Sequence, residues 1–461
     1  FNQILKTSTF PFDWKIARVC PIFKKGNRSQ VKNYRPISII NNFSKVFELI
    51  MHERMSRHIF NQVSLCQHGF VAKRSTVTNL ISITQFLCEH IDQGKQVDVL
   101  YADLSKAFDR VDHNLLIAKL EHFGLSQDLL NLISSYLYDR SSYVQYRGYK
   151  SKLFKQISGF PQGSVLGPLF FIVYIDDLSS RLNIPHLLYA DDLKIYCQVD
   201  TLEDCIKLQG NIDILQRWCT DNNLLLNGEK CFTISFTKKT DVLLFDYSVD
   251  GTIINRSDTF KDLGVIYDNK LTFRYHIENT VSSACKALGF ILRNGKYLNS
   301  VDTLILLYKT LVRSRLEYAS VVWSPIHQIH ISSLEKVQRR FAKFIFFVSN
   351  NQYPERGYPH DILLQEVQLP QLIKRRKYFS LKFLTQILTN KIDSPYLLSK
   401  ILFKTPSFNS RKLNTFEIPT PRTNALLMSP IYQMILNYHD VNDNIDIFIV
   451  NDCVLRAAIL T

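Results

Sequence analysis

The sequence predicts a mixed α/β (α+β) fold in more than one compact unit. Three observations carry this expectation. Short β-prone runs alternate with helix-period segments from Val97 to Val265, helical periodicity continues alone beyond about Leu271, and 461 residues exceed what one core usually serves. At roughly 150 residues per domain, about three units are expected.

Hydrophobic residues make up 46% and charged residues 21%, which excludes a disordered or fibrous class. With 56 Lys plus Arg against 41 Asp plus Glu, the net charge is +15. That balance favours a polyanionic partner, because neutralising phosphates releases condensed counterions. Charge alone fits a basic soluble enzyme equally well. The cysteines at 20, 66, 88, 197, 205, 219, 231, 285 and 453 have no zinc-knuckle or redox spacing and read as reduced, mostly buried thiols. The most apolar stretch, Val165–Ile175, is too short to cross a bilayer and contains Gly167-Pro168, so no membrane partner is expected. The chain opens at Phe1 inside what reads as continuous structure, with no signal-peptide pattern, and a longer parent protein is expected.

In order, a basic loop (Lys24-Lys25-Gly26-Asn27-Arg28) precedes helical patterning over 42–60 and 75–91. Gln93-Gly94-Lys95 breaks it, and Val97–Asp103 follows as a strand ending on a carboxylate. Helical segments over 115–123 and 129–138 lead to a hairpin-like stretch over 143–157. Leu166–Leu178 is apolar at helical spacing, and Leu187–Tyr196 predicts a hairpin with Asp191-Asp192 on its turn. A helix over 202–222 and short strands through Val265 complete the alternating core. Thr303–Val312 and Leu334–Phe347 are the clearest later helices. From Lys391 onward Pro and Asn increase and periodicity fades, so no element is assigned there.

The chemistry concentrates on three carboxylates. Two Mg²⁺ ions about 3.5–4 Å apart can hold an attacking oxygen and a leaving pyrophosphate in line. Magnesium takes hard oxygen ligands and keeps waters, so two or three carboxylates plus substrate phosphates suffice. Asp103 at a strand end and Asp191-Asp192 on a hairpin turn can supply them if the two strands are neighbours. An Asp pair alone is more often a solvated turn. Here apolar Leu187, Leu188 and Tyr189 run directly into the acids, which holds them beside a packed strand.

Around these residues the chain resembles the reverse transcriptases of non-LTR retrotransposons, most closely the jockey-like group. Eight blocks carry the resemblance, in order along nearly the whole chain. They are Trp14-Lys15 through Pro21–Gly26; Asn33-Tyr34-Arg35-Pro36-Ile37-Ser38; Gln67-His68-Gly69-Phe70 through Arg74-Ser75-Thr76; and Tyr101–Asp109 through Asp112-His113. Gly159–Leu169, Tyr189–Asp192, Leu226-Asn227 with Lys230, and Phe260-Lys261-Asp262-Leu263-Gly264-Val265 follow. Two departures stand out: Gly228-Glu229 and Cys231 flank Lys230, leaving its register open by a residue, and Leu193-Lys194 replaces the usual small or Thr residues.

The resemblance implies a right-hand polymerase. Fingers occupy 1–96, the palm with metal site and primer grip 97–270 with fingers segments interleaved, a helical thumb or C-terminal domain 271–390, and an extension of unassigned structure 391–461. It implies Asp103 and Asp191 as bridging ligands of two Mg²⁺ ions, with Mn²⁺ a possible substitute, and Asp192 as a supporting ligand. Lys230 is the implied proton donor to pyrophosphate. Arg35 with Lys24 or Lys25 clamps the triphosphate, Arg as a bidentate fork and Lys as a point charge. Phe108 lies beneath the incoming sugar, where a ring excludes a ribose 2′-OH. Gln162 and Gly163 let backbone approach the nucleotide, and Leu263-Gly264 form the primer grip. Read alone, Phe108 is a core aromatic, Pro161-Gln162-Gly163 a turn and the basic residues a solvated loop. The clusters Lys336–Arg340 and Lys374–Lys377, interleaved with Phe341, Phe344, Tyr378 and Phe379, either track a template-primer backbone or form basic helix faces over an aromatic core.

The expected function is RNA-directed DNA polymerisation from dNTPs on an RNA template, primed by a DNA end in target-primed reverse transcription. Endonuclease activity is expected from another segment or protein, and a nuclear over a cytoplasmic location follows from the family's need for chromosomal DNA. An RNA-directed RNA polymerase shares the metal site but calls for a polar residue at Phe108. A decayed element copy that keeps only fold and nucleic-acid binding is the non-enzymatic alternative; intact Asp103, Asp191, Asp192, Arg35 and Phe108 argue against a scrambled site.

Overall fold

A computed structural model describes residues 1–298, 300–405, 414–443 and 445–460. Strands β1 (Ile16–Phe23) and β2 (Tyr34–Ile39) form an antiparallel hairpin that sets Ile22 opposite Arg35. The helices Asn42–Ile59 and Thr76–Asp92 follow. Their starts are fixed by side-chain caps: Asn41 Oδ1 accepts the Phe43 N–H at 2.8 Å, and Ser75 and Thr78 form a capping box. Strand β3 (Gln96–Asp103) leads through the helices His113–His122 and Gln127–Leu137 to β4 (Arg140–Tyr146), β5 (Tyr149–Lys150) and β6 (Phe154–Gln156). The expected 143–157 hairpin joins the N-terminal one in a single sheet, because β4 pairs parallel with β1 and antiparallel with β5 and β6.

The helix Leu166–Asp176 then precedes β7 (His186–Tyr189) and β8 (Asp192–Val199). After the helix Leu202–Asp221 come β9 (Phe232–Phe236), a small ribbon of β10 (Ser248–Val249) and β11 (Thr252–Ile253), β12 (Asn255–Arg256), and a hairpin of β13 (Thr259–Asp262) and β14 (Val265–Asp268). The central sheet has the order β12-β9-β3-β8-β7, with β3 antiparallel to both neighbours.

This sheet is buried on both faces, which is why Val97–Ala102 is apolar apart from Asp98, a buried carboxylate that accepts from Gln96 Nε2 at 2.8 Å and the Tyr247 hydroxyl at 2.9 Å. Val97, Val99 and Tyr101 enter one core with the helix Thr76–Asp92 and the C-terminal helices. Leu100 and Ala102 enter a second core with the helices Leu166–Asp176 and Leu202–Asp221. Since successive side chains alternate, Asp103 falls on the Tyr101 face. On β8, Leu193, Ile195, Cys197 and Val199 join the second core and Tyr196 the first, so Asp192 and Lys194 share the Tyr196 face. Alternation therefore puts Asp103 and Asp192 on the same side of the sheet.

Beyond 271 the chain is helical as expected, with Arg274–Asn294, Val301–Tyr308, Gln328–Asn350 and Leu372–Leu388 its main elements. In the 391–461 segment, where periodicity fades, the described residues also form helices: Pro430–His439 and Asp452–Leu460 pack on Leu372–Leu388. Its residues 406–413, 444 and 461 lie outside the described ones. Of the two C-terminal basic clusters, the second turns its two arginines inward. Arg375 pairs with Glu317, Arg376 is buried, and Phe341, Phe344 and Tyr378 are core residues, so the packing alternative replaces a stacking platform. Among the described residues no helix is long and apolar enough to cross a membrane.

Candidate active site

The register of β3 and β8 pairs Asp103 directly with Asp192. Strands β7 and β8 turn through Ala190 and Asp191, so Asp191 stands on the turn and Asp192 begins the strand rather than sharing the turn as expected. Ala190 takes a left-handed φ of +56°, which costs a non-glycine residue about 1–2 kcal/mol. A buttress offsets this. Gln67 Oε1 accepts the N–H of Ala190 at 3.0 Å and that of Gly69 at 2.8 Å. His68 N–H donates to the Leu188 carbonyl at 2.8 Å, and Leu188 N–H to the Cys66 carbonyl at 2.9 Å. Gly69 is required by close approach, since a Cβ there would lie 2.3 Å from Ala190 N. The Gln67–Phe70 block, which carried no role in the sequence, thus holds the acidic turn.

Electrostatics record the crowding. Burial lifts Asp191 above the ordinary carboxylate value and Asp103 adds to it, while Arg35 and Lys24 draw it down. Burial, then Asp191, Asp262 and Asp103, raise Asp192 to about 6 against the pull of Lys194. Like charges held this close favour a proton or a cation between them. Among the described residues no three or more His, Cys, Asp or Glu side chains already converge as a metal cage. A few carboxylates that leave coordination positions to water and phosphate nevertheless fit Mg²⁺ by donor chemistry.

Lys230 Nζ lies 2.9 Å from Asp103 Oδ2, placed there by the Asn227 N–H, which donates to the Asp103 carbonyl at 2.9 Å. Phe108 stacks on Phe171 with centroids 4.3 Å apart and is half-buried. Gln162 Nε2 donates to Asp109 Oδ1 at 2.9 Å, and its carbonyl accepts the Ser38 N–H at 2.7 Å. Gly163, at φ +123°, leaves room for the Ser38 carbonyl, which a Cβ would meet at 2.7 Å. The close approach that its missing side chain permits is therefore to strand β2. Arg35 and Lys24 are exposed on the β1–β2 hairpin that this contact docks.

Leu263 and Gly264 make the β13–β14 turn, with positive φ at both. Tyr318, from the helical region, donates its hydroxyl to the Leu263 carbonyl at 2.7 Å, and a Cβ on Gly264 would come within 2.9 Å of its ring. Phe260 stacks on Tyr101 at 4.1 Å, and Asp262 pairs with Lys194. Sequence reasoning placed Gln67 and Asp262 in their blocks without a role of their own, passed over Tyr318, and treated Lys194 only as a departure. The one available signal was a lysine inside an apolar strand, whose charge required a buried partner.

The family model described as reverse transcriptase (RNA-dependent DNA polymerase) matches residues 22–292, more than half of the chain. The RNA-directed DNA polymerase from mobile element jockey of Drosophila melanogaster is 27% identical over 360 residues, covering 75% of this chain and 39% of that protein. A probable RNA-directed DNA polymerase from transposon BS of the same species is 30% identical over 294 residues, 61% of this chain and 32% of that protein. Among solved structures, apo telomerase from Candida tropicalis is similar over 79% of this chain and 65% of that chain, at 13% identity and a TM-score of 0.46. The chain thus spans about two fifths of the length of the jockey protein it matches. Matched by that family model over the whole carboxylate site, and similar to the mobile-element polymerases, the chain belongs to the reverse transcriptase family.

Proposed function

We propose that this chain is the polymerising segment of a non-LTR retrotransposon protein, an RNA-directed DNA polymerase that joins dNTPs to a primer 3′-OH on an RNA template. One observation carries the reading: Asp103 and Asp192 are paired across adjacent strands with Asp191 on the adjoining turn, and Arg35 and Lys24 act on Asp191. Two Mg²⁺ ions held by these carboxylates, with Mn²⁺ as a substitute, would supply Lewis-acid stabilisation of the attacking and leaving oxygens.

The chain's own groups do the rest. Arg35 and Lys24 neutralise the triphosphate from the β1–β2 hairpin, and Gln162 and Gly163 hold that hairpin against the Phe108 segment through Ser38 and Asp109. Phe108, backed by Phe171, presents a rigid ring where a ribose 2′-OH would project. Lys230, now paired with Asp103, exchanges that partner for the pyrophosphate oxygen and protonates it. Leu263 and Gly264 support the primer end. Target DNA cleavage is assigned to another segment or protein.

The test is dTTP incorporation on poly(rA)·oligo(dT) with Mg²⁺, comparing the wild-type chain with Asp191→Ala. Incorporation by the wild type and its loss in the variant are expected. A well-folded wild-type chain that incorporates nothing overturns the reading.

A further inference from the structure

The segment Pro161–Leu166 is fastened at two points to the stretch that runs from β2 into the helix Asn42–Ile59. At one point Ser38 donates its N–H to the Gln162 carbonyl and packs its own carbonyl against Gly163. At the other stands Glu48, a fully buried carboxylate that belongs neither to the metal site nor to the triphosphate clamp. Its Oε2 accepts the Val165 N–H at 2.7 Å and the Leu166 N–H at 3.4 Å, and its Oε1 accepts the Ser44 hydroxyl at 3.0 Å. The first N–H groups of a helix have no acceptor inside it, and the Val165 side chain cannot cap the helix Leu166–Asp176. Glu48 does so from 117 residues earlier in the chain, where a carboxylate also suits the positive end of the helix dipole.

We infer that Glu48 is a positioning residue for nucleotide selection, acting through the helix it caps. That helix carries Phe171, on which Phe108 stacks, while the stretch that carries Glu48 follows directly on the hairpin of Arg35 and Lys24. The Glu48 cap and the Ser38 contact therefore hold the sugar-side ring and the triphosphate-side cations at one spacing. Loss of the cap leaves two N–H groups without a partner, one of them buried, and the start of the helix shifts to find one. Phe108 then moves off the sugar, so a ribose is admitted more readily and the triphosphate is bound less tightly. This consequence rests on the polymerase reading; the cap itself does not.

The role belongs to the acceptor oxygen. In Glu48→Gln the amide oxygen can take both N–H groups while the NH2 donates to the Ser44 hydroxyl, which then accepts instead of donating. Glu48→Leu keeps the bulk and offers no acceptor. Glu48→Asp keeps the carboxylate and withdraws it by one methylene.

The first measurement is hydrogen exchange of the wild-type chain, read at single residues by mass spectrometry. Protection of the Val165 amide, which has no acceptor within its helix, is expected at about a hundredfold over an open amide. An unprotected Val165 overturns the proposal, and this reading needs no turnover, so it stands apart from any failure of the polymerase reading. The second measurement is single-nucleotide extension with dTTP and with UTP. Glu48→Leu is expected to raise KM for dTTP about tenfold with kcat within about threefold, and to lower the dTTP preference in kcat/KM about tenfold. Glu48→Gln is expected to recover most of both. The preference compares two substrates on one preparation, so a smaller folded fraction does not move it. If Glu48→Leu does not fold, Glu48→Asp is read by the same criteria, with expected changes of about threefold. Wild-type KM and preference in the folded variant overturn the proposal, as does a Glu48→Gln chain that falls as far as that variant.

Discussion

Lys194 and Asp262 hold opposite charges against each other between β8 and the tip of the β13–β14 hairpin, with side chains 2% and 4% exposed. The lysine follows Asp192 by two residues and the aspartate immediately precedes Leu263-Gly264. The pair therefore ties the carboxylate strand to the turn that Tyr318 clamps. A buried pair adds little over an apolar one, but breaking it strands a charge at a cost of about 3–5 kcal/mol. Lys194→Met is expected to lose stability of that order in urea unfolding, and the double change Lys194→Met/Asp262→Leu to recover most of it. A single substitution as mild as a surface one would show that water reaches the pair.

The Gln67–Gly69 buttress makes a second expectation. Gly69→Ala forces a Cβ to within 2.3 Å of Ala190 N, so the acidic turn must move. Gln67→Leu keeps the volume and leaves the N–H groups of Ala190 and Gly69 unpaired, at about 1–3 kcal/mol each where they are buried. Both variants are expected to lower kcat for dTTP incorporation by tenfold or more with a smaller effect on KM. Wild-type kcat in Gly69→Ala would show that the turn is not held from this side.

Phe108 is fixed by its stack on Phe171 and cannot swing away cheaply. Removing the ring in Phe108→Ala should lower the preference for dTTP over UTP in kcat/KM by at least tenfold, read in parallel single-nucleotide extensions. Unchanged discrimination would return Phe108 to the hydrophobic core.

These cases show what a sequence exposes. Asp103 was legible because a β-prone run ended on it, and Asp191-Asp192 because apolar residues led into a turn. Their pairing depends on register, which local pattern does not encode. The role of Gln67 was hidden for the same reason: the Ala190 turn that it holds lies more than 120 residues away. Arg375 and Arg376 misled in the opposite direction, because basic residues on a helix suggest a solvated face, whereas Arg375 pairs with Glu317 and Arg376 is buried. The described residues of the 391–461 segment form short helices, two of them begun by proline, that fall below the length at which periodicity becomes visible.

The β14 strand and the helix Arg274–Asn294 are joined by a histidine whose protonation makes a pH prediction. His276 is 4% exposed, and its Nδ1 accepts the Ile266 N–H at 3.2 Å, so the ring must be neutral there. Burial, then Lys261, lowers it from 6.5 to about 4. Above pH 6.5 both folded and unfolded chains hold it neutral, and it contributes no pH dependence. As pH falls from 6.5 to about 4 only the unfolded chain takes the proton, so stability declines across that window and levels off below it. At about 1.36 kcal/mol per pH unit the full loss is about 3 kcal/mol. His68, lowered to about 3 mainly by burial, acts with the same sign, so the two must be separated. His276→Gln keeps an acceptor for Ile266 without a titrating group. Urea unfolding at pH 7.5 and pH 4.5 should show a decline smaller by about 2–3 kcal/mol in the variant than in the wild type. Parallel declines would assign the acid sensitivity to His68 or to the carboxylates instead.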